Sequence, residues 1–84
     1  MERFVYTEHA LEMLARREIA EEWVERVIAK PEVIQGDKRD VRVLHFLGKV
    51  PEREGRVLRV IYNWRANPNW VVTAYFDRSM RGLL

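Results

Sequence analysis

The stretch Arg56-Val57-Leu58-Arg59-Val60-Ile61-Tyr62-Asn63-Trp64, followed by Arg65-Ala66-Asn67-Pro68-Asn69 and then Trp70-Val71-Val72-Thr73-Ala74-Tyr75-Phe76-Asp77, reads as two long strands joined by a turn. Branched and aromatic residues fill both runs, and an Asn-Pro-Asn cluster separates them. A turn over 65–69 places Trp64 opposite Trp70. It then sets Tyr62 against Val72, Val60 against Ala74 and Leu58 against Phe76. Every member of that set is apolar or aromatic, so this face covers the helices. Side chains alternate along a strand, so the other face is fixed at the same time. It pairs Asn63 with Val71, Ile61 with Thr73, Arg59 with Tyr75 and Val57 with Asp77.

Working outward, Val41 to Leu47 alternates as a third strand. Val41, Val43, His45 and Leu47 are expected on the core face and Arg42 on the polar face. A slip of one residue exchanges His45 for Arg42, and the charged loop Gly48 to Gly55 is too long to fix the register. Glu32 to Gln35 reads as a short strand before the turn Gly36-Asp37-Lys38. In the N-terminal half, Arg3 to Tyr6 forms a short strand and Thr7 caps a helix reaching about Arg17. Leu11, Leu14 and Ala15 make its apolar stripe. A second helix covers Glu21 to Ala29, with Trp23, Val24, Val27 and Ile28 facing inward at helical spacing. Glu22 and Arg26 stand at i,i+4 for an outer-face ion pair, and Pro31 ends the helix. The expected fold is α+β. A short N-terminal strand is followed by two helices packed on one face of a twisted antiparallel sheet, in the order β-α-α-β-β-β, as one domain over 1–84.

Composition bounds the chemistry. The 84 residues are 48% hydrophobic, which supports a real core, and contain no cysteine. Disulfides and thiolate metal sites are therefore excluded. Only His9 and His45 are available as imidazole ligands, so no metal and no cofactor is expected. No apolar run approaches the ~20 residues of a membrane span, and the N-terminus opens no secretory signal, which points to a cytoplasmic protein. The net charge of +2 is uneven. Residues 1–32 carry five basic and eight acidic side chains, whereas 33–84 carry ten basic and five acidic. The sheet half is thus basic, as suits an anionic partner, RNA above all. A charge-rich surface with no ligand is the alternative.

The polar sheet face gathers Arg42, Arg59, Asn63, Thr73, Tyr75 and Asp77, with Arg78 just beyond. Arginine binds phosphate bidentately. Tyrosine stacks on a base or transfers a proton. Metal-independent cleavage of RNA needs a base, a group that stabilises the phosphorane and an acid for the leaving oxygen. Arg59 and Tyr75 fit the last two roles, and His9, in the first turn of helix 1, is the candidate base. Arg17, Arg42, Arg56, Arg78 and Thr73 are the candidate contacts to nucleic acid. As an alternative, Arg59 and Tyr75 form an ordinary cross-strand pair. Tyr62, Trp64 and Trp70 beside the turn are core, or else a patch for a partner or a homodimer.

The run Thr7-Glu8-His9-Ala10-Leu11-Glu12-Met13-Leu14-Ala15-Arg16-Arg17-Glu18-Ile19 resembles the opening signature of domain of unknown function 4258, H-A-x-x-R-M-x-x-R-G-I. Lys30-Pro31-Glu32 after an acidic helix and the strand Val71 to Asp77 extend the resemblance over nearly the whole chain. That family resembles the RelE/ParE/BrnT toxins, many of which cleave RNA at the ribosome without a metal. The resemblance implies His9, Arg17, Thr73 and Tyr75 as pattern positions, RNA or the ribosome as target, and an antitoxin protein as partner. Two positions depart from the signature: Met13 replaces its first arginine and Glu18 its glycine. The leading expectation is a RelE-like toxin or toxin-derived domain acting on RNA. The alternative is a non-catalytic protein- or RNA-binding module, for which a homodimer through the sheet is one form.

Overall fold

The computed structural model describes residues 4–84; Arg3, expected to open the first strand, lies outside them. The elements are β1 (Phe4–Tyr6), α1 (Glu8–Arg16), α2 (Glu21–Ala29), β2 (Val33–Gly36), β3 (Val43–Val50), β4 (Arg56–Asn63) and β5 (Asn69–Phe76). Short 3-10 turns follow β3 (Pro51–Arg53) and β5 (Arg78–Met80). The fold is α+β, with the strands in the order β1-β5-β4-β3-β2. The sheet is mixed rather than wholly antiparallel, because β1 runs parallel to β5. The two helices intervene between β1 and the rest of the sheet, which gives the chain the length a parallel return needs.

The decisive hairpin forms as its pattern requires over four pairs. Leu58 faces Phe76, Arg59 faces Tyr75, Val60 faces Ala74 and Ile61 faces Thr73. A bulge then shifts the register, so Tyr62 faces Val71 and Asn63 faces Trp70. The expected pairs of Tyr62 with Val72, Asn63 with Val71 and Trp64 with Trp70 are therefore corrected. Val72 is the extra residue, and Val71 enters the core in its place, fully buried beside Tyr62 and Ala74. Tyr62 belongs to the core, while Trp64 is exposed, its indole donating to the Val41 carbonyl.

The third strand takes the slipped register. It begins at Val43 rather than Val41 and runs on to Val50. Only 51–55 form the connection: the 3-10 turn leads into Glu54 and Gly55, both at positive φ, and the Gly55 N–H returns to the Val50 carbonyl. Gly48, Lys49 and Val50 are thereby kept in the ladder. Leu44, Phe46 and Val50 join the core, while His45, paired with Ile61, and Leu47, paired with Arg59, stand on the opposite face. Val41 and Arg42 lie before the strand. Gly48 is the point of closest approach of α2. A Cβ there would lie 3.2 Å from Val27 Cγ2.

Helix α1 buries Ala10, Met13 and Leu14; Leu11 and Ala15, expected inward, are exposed. Thr7 sets this rotation. Its hydroxyl accepts from the Ala10 N–H and donates to the Val72 carbonyl, and its N–H donates to the Val71 carbonyl, so the cap is also bonded to β5. At the other end the Ile19 N–H bonds to the Leu14 carbonyl and the Glu18 N–H to that of Ala15. These two hydrogen bonds make a Schellman stop, with the Leu14–Ile19 apolar pair inside it. Glu18 holds φ 55°, the conformation that glycine adopts without strain. In α2, Val24 and Val27 are buried and Trp23 and Ile28 pack beside them. Arg26 does not pair with Glu22; it turns to Glu52 with two bonds of 2.9 and 2.7 Å. Two planar bonds to one carboxylate outweigh a single exposed helical pair.

Candidate functional site

The face of the sheet away from the helices carries a connected polar chain. Arg59 sits at its centre and is only 9% exposed. Its Nε donates to Asp77 Oδ2 at 2.7 Å, and its Nη1 donates to Gln35 Oε1 at 3.0 Å and to His45 Nδ1 at 2.8 Å. Guanidinium has no acceptor, so His45 Nδ1 must be the acceptor in that contact. The proton of a neutral His45 then lies on Nε2, which donates to Asp37 Oδ1 at 2.8 Å. Asp37 also takes the Arg39 and Asp40 N–H groups. These bonds, led by the one from His45, hold its carboxyl below the usual range. Asp77 is depressed as well, first by the Ser79 hydroxyl and then by Arg59.

This arrangement bears directly on the catalytic candidates. Arg59 and Tyr75 are cross-strand partners on one face, as the pattern requires. Arg59 is nevertheless buried and neutralised, not exposed. Two carboxylates, Asp37 and Asp77, flank it, so this part of the face is not a cationic surface. His9 is exposed in the first turn of α1. Arg17, at the other end of that helix, touches the Tyr75 ring. Arg17 follows His9 by eight positions, a rise of about 12 Å along the axis, so His9 does not join Tyr75. His45, expected in the core, is instead the histidine beside Arg59, and both of its ring nitrogens are engaged. Gln35 and Asp37 were not among the expected site residues. The available signal was the open register of the third strand: with His45 moved to the polar face, its neighbours across β2 follow.

Arg17, Thr73 and Tyr75 do come together. Arg17 Nη1 donates to the Ala74 carbonyl at 2.7 Å and to Thr73 Oγ1 at 3.4 Å, with its Cζ 5.9 Å from the Tyr75 ring centre. Since β1 pairs only with Asn69–Val71, the remainder of β5 is an edge there, and Arg17 caps one of its carbonyls. Arg42 is tied to Asp40 through Nε and Nη2, both at 2.9 Å, which lowers the Asp40 carboxyl to about 2.

Arg56 and Arg78, the other two arginine candidates, meet elsewhere, together with Arg81. At the open end of the β4–β5 hairpin a cleft of about 380 Å³ is lined by Arg56, Arg78 and Arg81, with Glu54, Val57, Phe76 and Asp77. Arg56 stands over the Phe76 ring, Cζ 4.5 Å from its centre. Arg78 opens the 3-10 turn and Arg81 follows it, and both are exposed. The Asp77 carboxylate that starts this turn faces Arg59 and Ser79. Three guanidinium groups therefore stand against the one uncommitted acid of the cleft, Glu54.

No group of three or more histidine, aspartate or glutamate side chains placed to hold a metal occurs among the described residues, and no described helix is long and apolar enough to cross a membrane. No curated protein and no solved structure matches the chain. The model of one family, the domain of unknown function DUF4258, matches residues 6–76, from the end of β1 to the end of β5. The match spans α1 with its Schellman stop, the Arg17–Thr73–Tyr75 contact and the whole hairpin, and the chain belongs to the DUF4258 family.

Proposed function

We propose that this chain is an RNA-binding module that grips the phosphate backbone in the cleft of Arg56, Arg78 and Arg81. The observation that carries this reading is their convergence in one open cleft while Arg59 is held inside an ion pair. Guanidinium groups bind phosphate oxygens in a planar, bidentate geometry. The Phe76 ring beneath Arg56 stiffens one of them, so less side-chain freedom is lost on binding. The cleft volume falls in the range of small-ligand sites, enough for a short stretch of backbone.

A metal-independent RelE-like nuclease is the second reading. It is favoured by the meeting of Arg17, Thr73 and Tyr75 at the β5 edge. The two histidines do not supply a base there, since His9 is at the far end of α1 and His45 is bonded on both sides. One experiment separates the readings. Fluorescein-labelled single-stranded RNA is titrated with the protein in excess EDTA, followed by anisotropy, and then run on a denaturing gel. The module binds RNA and leaves it intact, and Arg78→Ala/Arg81→Ala weakens binding. RNA that is cut by the wild type but not by Tyr75→Phe would instead establish the nuclease. Absence of binding would remove the module, and absence of cleavage when ribosomes are added in the same EDTA buffer would remove the nuclease.

A further inference from the structure

Among the described residues, the helix side of the sheet is incompletely covered. Two helices of nine residues each lie over five strands. Helix α1 packs against β5 and β1, and α2 against β3 and β4. Between α2 and the outer strands an open groove of about 1170 Å³ remains. Its floor is Phe4 and Tyr6 of β1, Phe46 of β3 and Ile34 of β2. Ile34, paired across the strands with the buried Phe46, is 57% exposed and leaves an apolar edge on the groove. The groove is larger than a typical small-ligand pocket.

The wall is formed by α2 and is acidic. Glu22 and Glu25 line it, while the third charged residue there, Arg26, donates Nη1 and Nη2 to the Glu52 carboxylate. The Tyr6 hydroxyl is shut off from solvent and has no hydrogen-bond partner among the described residues. Burial, and then the nearby Glu21 and Glu25, raise its pKa to about 12. It therefore stands as a neutral donor beneath an acidic rim. From β1 to β2 the floor crosses four inter-strand spacings, about 19 Å at ~4.8 Å each. A helix of about 13 residues has that length.

We propose that this groove docks a basic amphipathic helix of a partner protein. Its apolar face lies on Phe4, Phe46 and Ile34, and its lysines or arginines meet Glu22 and Glu25. The occupant completes the helix layer that α1 and α2 leave open, alongside α2. It is separate from the arginine cleft, which lies at the opposite charge extreme of the chain and recognises anions.

The test uses two synthetic 13-residue helical peptides with the same leucine face, one with lysine and arginine on its polar face and one with glutamate. Each is fluorescein-labelled and titrated with the whole chain by anisotropy. The basic peptide binds and the acidic one does not. Glu22→Lys/Glu25→Lys, both on exposed positions, reverses that preference, and Ile34→Asp weakens the basic peptide by at least about tenfold. Equal binding of the two peptides, no binding of either, or binding unchanged by these substitutions would overturn the proposal. So would a dimer in light scattering that Ile34→Asp converts to monomer, because the occupant would then be a second copy of the chain.

Discussion

Replacing Arg59 by alanine should lower the stability of this domain by about 3 kcal/mol, although the residue was expected on an exposed face where such a change has little effect. The side chains of Arg59 and Asp77 are 10% and 12% exposed and meet at 2.7 Å. Removing one partner of a buried ion pair costs roughly 3–5 kcal/mol, because the other charge is left uncompensated. Asp77 keeps its bonds from Ser79, which places the loss at the lower end. Gln35 and His45 lose a donor at the same time. A chain of this size has a total stability of roughly 4–13 kcal/mol, and its melting temperature moves by about 4–8 °C per kcal/mol. Thermal unfolding followed by circular dichroism should therefore show a fall of about 12–24 °C. A double-mutant cycle with Asp77→Ala should return a coupling of about 1–3 kcal/mol. A fall below about 4 °C, or a coupling near zero, would refute the burial argument. Any loss of function in Arg59→Ala must be read against this unfolding.

Glu18→Gly should stabilise the chain by about 1 kcal/mol, because it relieves a left-handed residue in the Schellman stop; a lower urea midpoint in the variant would contradict this. The acid limb of stability should be steep. Asp37, Asp40, Glu52 and Asp77 all have carboxyls below the usual range, Asp40 and Glu52 at about 2, through bonds to His45, Arg42, Arg26 and Ser79 respectively. Their contribution is complete above the ordinary values near ~4 and is lost as pH falls through the folded values. The melting temperature should hold from pH 7 to about 5 and drop continuously toward pH 2, and a flat profile across that range would count against these bonds.

The hairpin was legible because its two faces differ so sharply in polarity. The apolar set Leu58, Val60, Ala74 and Phe76 admits only one register at its open end. The bulge at Val72 was not legible, since Val71 and Val72 are the same residue and either satisfies the core. The β3 register was open for a similar reason: Val43, Leu44, Phe46 and Leu47 supply apolar groups to both faces. His45 was thereby assigned to the core, and the Asp37–His45–Arg59–Asp77 chain, whose members lie far apart in sequence, could not be assembled. Met13 and Glu18, the two departures from the family signature, have structural settings: Met13 is buried in α1 and Glu18 takes a glycine conformation. Arg56 and Arg78 were marked by sequence, but their meeting with Arg81 depends on the C-terminal 3-10 turn, which no pattern announced.

The most direct test of the central claim is the salt dependence of RNA binding. Three arginine–phosphate contacts to a single strand give a slope of log K against log salt of about −2. The proposal requires that value for the wild type between 50 and 200 mM salt, taken as roughly the range where backbone contacts dominate. It further requires a loss of about 0.7 in slope for each of Arg56→Ala, Arg78→Ala and Arg81→Ala. A slope near zero, or one that stays at about −2 when all three arginines are replaced, would show that the cleft does not hold the RNA backbone.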